Sequence, residues 1–66
     1  MRVVLNGEET EVEPGTTVGR VVDGITRDRS RVAVERNRAI VGRAAWDETR
    51  VEANDVIEVV TLVGGG

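Results

Sequence analysis

Gly64, Gly65 and Gly66 close the 66-residue sequence, directly after the apolar run Val56-Ile57-Glu58-Val59-Val60-Thr61-Leu62-Val63. Glycine has no side chain to pack and loses the most backbone freedom on ordering. The three residues are therefore expected to project as a flexible arm bearing the carboxylate of Gly66. A carboxylate with an ordinary terminal pKa near ~3.5 is ionised at neutral pH and is a poor electrophile, so another enzyme must activate it before it reacts. A glycine end suits such an enzyme, because no Cβ blocks a narrow channel or shields the carbonyl carbon. Taken alone, three terminal glycines are equally well explained by a frayed end or a cloning remnant.

The rest of the sequence offers little competing chemistry. It contains no cysteine, which removes disulfides, thiolate metal sites, a thiol nucleophile and any thioester or persulfide held on a side chain. It contains no histidine, the usual general base at neutral pH and the commonest metal ligand. The carboxylates are scattered over strand and turn positions without metal-ligand spacing, and no glycine-rich phosphate loop leads into a helix. No catalytic residue and no metal ligand is assigned. The chain is read as acted upon by enzymes rather than as an enzyme.

A chain of 66 residues is one small domain that buries only ~60% of its unfolded surface, so the core must be compact. The start Met1-Arg2-Val3 lacks a basic-then-apolar leader, and the longest apolar runs fall far short of a membrane span; a soluble, cytoplasmic protein with no membrane partner is expected. The formal net charge of −3 argues against nucleic acid as the main partner. Its distribution is uneven. Arg20 to Arg43 holds seven arginines against Asp23, Asp28 and Glu35, net +4, while the flanks carry net −7. Such polarity can steer a partner, although a solvated charge pattern without function is the commoner meaning. There is no lysine, so the fold has no side-chain amine on which copies could be built into chains.

The elements that must position the tail follow from patterning. Arg2 to Asn6 alternates with Val3 and Leu5 on one face, Asn6-Gly7 signals a hairpin turn, and Glu9 to Glu13 alternates through Thr10 and Val12. Pro14-Gly15 ends the hairpin. Thr16 or Thr17 can cap a helix whose Val18, Val21, Val22 and Ile25 form one apolar stripe at i, i+3, i+4 and i+7. Gly19, Gly24 and the β-branched valines weaken that helix, so packing on the sheet must hold it. Thr26 to Arg31 reads as a loop, Val32 to Glu35 as a strand, Asn37-Arg38 as a turn and Ala39-Ile40-Val41 as a short strand. Gly42 to Glu48 is a turn or brief helical segment, whose Trp46 is a core anchor rather than a ligand platform. Asn54-Asp55 turns the chain into the last long strand.

This order predicts an α+β domain with a mixed four- to five-stranded sheet, one main helix on one face and the first and last strands parallel at the centre. That is a β-grasp (ubiquitin-like) over residues 1–63, followed by a tail of residues 64–66. The other face stays open. Alternation turns Ile57, Val59 and Thr61 toward the helix and leaves Val56, Glu58, Val60 and Leu62 on the open face. Val60 and Leu62 are thus candidate docking residues, and Val4 on the adjacent strand is expected to extend their patch. Scattered surface hydrophobes are ordinary; an apolar patch beside a reactive tail favours docking.

Leu5-Asn6-Gly7-Glu8, Gly15-Thr16-Thr17-Val18, Val32-Ala33-Val34-Glu35 with Asn37, Arg43 before Trp46, Asp55 with Ile57-Glu58-Val59-Val60, and the final glycines together resemble the ThiS-type sulfur carriers of thiamine biosynthesis. The likeness covers essentially the whole chain. It departs in turns: Arg38 and Asn54 stand where glycine is common, and Gly42 and Ala44 replace a proline and a serine. The resemblance implies a carrier whose Gly66 is adenylated with ATP and Mg²⁺ by an E1-like ThiF-type enzyme and converted to a thiocarboxylate. A sulfur donor protein would supply the sulfur and a ThiG-type thiazole synthase would receive it. The motif positions are Gly65 and Gly66, with Gly64 extending the reach, and the chain itself binds no cofactor. Three alternatives stay open: a MoaD-like carrier for molybdopterin synthesis, a ubiquitin-like modifier, and a β-grasp interaction module that makes no covalent use of its tail.

Overall fold

The computed structural model describes residues 1–62. The expected domain boundary after Val63 and the glycines Gly64, Gly65 and Gly66 lie outside the described residues. Strands β1 (Arg2–Leu5) and β2 (Glu8–Glu11) form the N-terminal hairpin, helix α1 (Val18–Asp23) follows, and β3 (Val32–Arg36) and β4 (Ala39–Val41) form a second hairpin. Strand β5 (Val56–Thr61) comes last. Short 3-10 turns, Arg29–Arg31 and Arg43–Ala45, precede β3 and follow β4. The sheet runs in the order β2-β1-β5-β3-β4, with β1 and β5 parallel at its centre and every other neighbour antiparallel. This is the mixed sheet with one helix that the element order predicts.

The turns work as their residues require. Asn6 and Gly7 have φ of 50° and 83°, the pair of left-handed residues that a two-residue hairpin turn needs. Asn37 and Arg38 do the same at 51° and 72°, so Arg38 takes a conformation that favours glycine. Both turn asparagines also reach across to β5. The Asn6 side-chain oxygen accepts from the Val59 N–H at 2.8 Å, and that of Asn37 accepts from the Val56 N–H at 2.9 Å. Each turn is thereby stitched to the central strand.

Helix α1 starts as expected, with Thr17 as N-cap accepting from the Arg20 N–H at 3.2 Å. Its first N–H groups donate outward, Val18 to the Thr49 carbonyl at 2.8 Å and Gly19 to that of Trp46 at 3.0 Å. A six-residue helix is too short to persist alone, and its buried Val18, Val21 and Val22 hold it on the sheet. The stripe does not extend to Ile25. Gly24 caps the helix, the chain leaves the helical path, and Ile25 is 45% exposed. The loop after it is also not wholly irregular, since Asp28 caps the 3-10 turn at Arg29–Arg31.

Val3, Val18, Val21, Val22, Val32, Val34, Trp46, Val51 and Ile57 form one core between helix and sheet. Trp46 is its largest member and, as expected of an anchor, donates from Nε1 to the Val41 carbonyl at 2.8 Å. Among the described residues, no helix is long and apolar enough to cross a membrane.

Candidate functional site

The tail root is built by the central strand. Val3 and Ile57 are fully buried on the helix side, so the alternate residues Val4 and Val56, paired in register, belong to the other face. The antiparallel β3 ladder pairs Ala33 with Val60 and Val32 with Thr61, and is extended by the Leu62 N–H donating to the Arg31 carbonyl at 2.7 Å. The strand is thus held by hydrogen bonds up to the last described residue. Anything carried on the residues that follow is attached to the central strand of the sheet.

Of the predicted docking residues, Val60 is 49% and Leu62 is 54% exposed, and Val4 is half-buried. They do not form one continuous patch. Glu58 lies between Val56 and Val60, so same-face positions about 13 Å apart along the strand are separated by a carboxylate. Val4 and Val56 form one apolar spot near the start of β5; Ala33, Val60 and Leu62 form a second beside the tail root. Between them Glu58 stands directly opposite Glu35, a like-charge pairing that weakens the isolated sheet. Opposite Glu35 on the other side is Ile40, 70% exposed and unremarked as a surface residue in the sequence. Its position between Ala39 and Val41 in a three-residue strand carries the signal, because Val41 packs against the core and alternation must turn Ile40 out.

Two ionic clusters brace the fold, one beside helix α1 and one at the entrance to β5. Arg29 donates from Nε and Nη2 to Asp23 (2.9 and 2.9 Å) and from Nη1 and Nη2 to Asp47 (3.0 and 2.9 Å), while its guanidinium carbon lies 5.9 Å from the Trp46 ring centre. The hydrogen bonds that Arg29 donates to Asp23 and Asp47 raise its pKa further, and the same bonds hold both carboxyls below the usual range. Gly19 lies beneath this clamp, where a Cβ would collide with the Asp47 carboxylate and the Arg29 guanidinium. The second cluster centres on Asp55, which is buried. It accepts from Arg36 Nε at 2.7 Å, Asn37 Nδ2 at 3.0 Å and the Glu52 N–H at 2.7 Å. Burial pushes this carboxyl up, but the hydrogen bonds from Glu52, Asn37 and Arg36 and the Arg36 charge outweigh it, and its pKa is lowered. Asp55 thereby ties the β3–β4 turn to the start of β5. Neither cluster has the makings of an active site, since every polar group in it is engaged structurally.

The arrangement can present a tail and dock a partner. The Arg-rich stretch, read in the sequence only as a polarity, contributes Arg31 and Arg43 near the tail root; that placement depends on long-range strand pairing and has no local signal.

Comparison with known proteins agrees with this geometry. The model of the ThiS family matches residues 3–66. The chain is 41% identical over 66 residues to a thiazole synthase of Magnetococcus marinus, covering 100% of this chain and 20% of that protein. It is 35% identical over 63 residues to the sulfur carrier protein ThiS of Bacillus subtilis, covering 94% of this chain and 96% of that one. The chain thus spans about a fifth of the length of the thiazole synthase and nearly all of the carrier. The crystal structure of a thiamine biosynthesis protein (ThiS) from Geobacter metallireducens superposes with a TM-score of 0.84 at 28% identity over 100% of both chains.

Proposed function

Because this chain belongs to the ThiS family, we propose that it is a sulfur carrier of thiamine biosynthesis, with the Gly66 carboxylate as the group that carries the sulfur. The observation that supports this reading is a glycine end that follows two residues after the central strand in sequence, on a chain without a cysteine or histidine to do other chemistry. The carboxylate attacks the α-phosphorus of ATP in an E1-like ThiF-type enzyme, which supplies Mg²⁺ and the catalytic groups, and pyrophosphate leaves. The acyl-adenylate is now an electrophile with a good leaving group. A persulfide on a donor protein attacks the acyl carbon and AMP departs, leaving an acyl disulfide; a thiol then breaks its S–S bond, forms a disulfide with the donor sulfur and leaves the tail ending in a thiocarboxylate. This stored sulfur nucleophile passes to a ThiG-type thiazole synthase, in keeping with the thiazole synthase that shares this domain.

The carrier contributes the arm and the docking surface. Ordering Gly64, Gly65 and Gly66 in an enzyme channel costs about 1 to 2 kcal/mol each in backbone entropy, so main-chain hydrogen bonds and the surface around Val60 and Leu62 must offset several kcal/mol. A channel shaped for glycine admits no Cβ. Gly65→Ala and Gly66→Ala are therefore expected to abolish or sharply reduce ATP–pyrophosphate exchange by a ThiF-type enzyme while leaving the folded domain intact; wild-type exchange in both variants would contradict the tail mechanism.

A further inference from the structure

The carrier chemistry leaves the Arg-rich stretch unexplained, yet the fold brings part of it to the tail root. The Arg31 carbonyl receives the Leu62 N–H at 2.7 Å, and Arg43 Nη2 donates to the neighbouring Ser30 carbonyl at 3.4 Å. The Arg31 side chain is 76% exposed, and among the described residues its ion pair is with Asp28, at 3.6 Å. Asp28 is itself occupied by the Ser30 N–H and hydroxyl, and these bonds first, then the charges of Arg31 and Arg43, hold its carboxyl below the usual range. Arg29 differs from both, being engaged by Asp23 and Asp47. Among the described residues, two cations against one carboxylate thus stand beside the end of β5.

We infer that Arg31 and Arg43 form a cationic collar that docks on an acidic rim, aspartate and glutamate side chains around the mouth of the channel through which the adenylating enzyme receives the tail. The inference rests on the sulfur-carrier reading and names the chemistry of its partner's surface. Chain length separates the collar from the nucleotide. The four residues from Val63 to Gly66 span at most about 14 Å, so a channel that holds them extended keeps the ATP phosphates at its far end and presents its rim to the collar. The apolar spot of Ala33, Val60 and Leu62 is continuous with the collar through the Leu62–Arg31 hydrogen bond, which gives the docking surface an apolar centre with a cationic edge. Edge charges of this kind act mainly on encounter rate and salt dependence.

The test is ATP–pyrophosphate exchange by a ThiF-type enzyme with carrier concentration varied at low and high salt. Arg31→Glu carries it, since its side chain is exposed, whereas Arg43 also lies against Trp46, 5.8 Å from the ring centre. Arg50→Glu makes the same charge change near Glu52, by the start of β5, away from the tail root. The collar predicts a KM for the carrier raised by about tenfold in Arg31→Glu, kcat within about twofold of wild type, and a flattened salt dependence of kcat/KM. Arg50→Glu should leave KM unchanged. An unchanged KM in Arg31→Glu, an equal rise in Arg50→Glu, or a fall in kcat alone would overturn the collar while the carrier reading stands. No exchange with the wild-type chain would overturn the carrier reading and the collar with it.

Discussion

Asp55 concentrates much of what holds the tail-bearing strand in place. Its carboxylate accepts three hydrogen bonds at the entrance to β5, and its pKa is lowered. A carboxyl depressed in the folded state stabilises fully above its unfolded pKa of about 3.9, and that stabilisation is lost as pH falls through the folded value. Urea unfolding over a pH series should therefore show wild-type stability dropping below about pH 5, with Asp55→Asn less stable at neutral pH and flatter in the acid range. Parallel curves for the two proteins would show that Asp55 is not a linkage site. The turn asparagines were legible as turn residues, and Asn6, Asn37 and Asn54 all have positive φ. Their side-chain partners were not. Whether Asn6 reaches Val59 and Asn37 reaches Val56 is set by strand register, which joins residues up to 53 positions apart.

At the scale of elements, periodicity read the two hairpins, the helix start and the last strand with its two faces. It failed where a local pattern outlasted its element: Ile25 continues the helical spacing, but Gly24 ends α1 and leaves it exposed. The open face was legible in its members and not in its layout. Val60 and Leu62 lie where alternation placed them, whereas the division of the surface by Glu58 and Glu35 emerges only when β3 is laid against β5. This layout gives a direct check on the faces. Leu62→Glu places a charge on an exposed position, so it should weaken binding to a ThiF-type enzyme while changing folding stability by about 0.5 kcal/mol or less. A large loss of stability would show Leu62 to be a packing residue.

For the whole molecule, one short helix and a central parallel pair leave an open sheet face whose middle strand leads into the glycines. The β-grasp was readable because each element announced itself locally and few topologies accommodate one helix with two hairpins and a final strand. The placement of Arg31 and Arg43 at the tail root was not readable, because charge spacing along a chain carries no information about which strand ends meet. The central claim is that Gly66 carries sulfur, and intact-mass analysis of the chain from its native host tests it most directly. The account predicts a fraction of molecules in which one oxygen of the C-terminal peptide is replaced by sulfur. Free carboxylate alone in the presence of an active adenylating enzyme, or conjugates of higher mass, would contradict it.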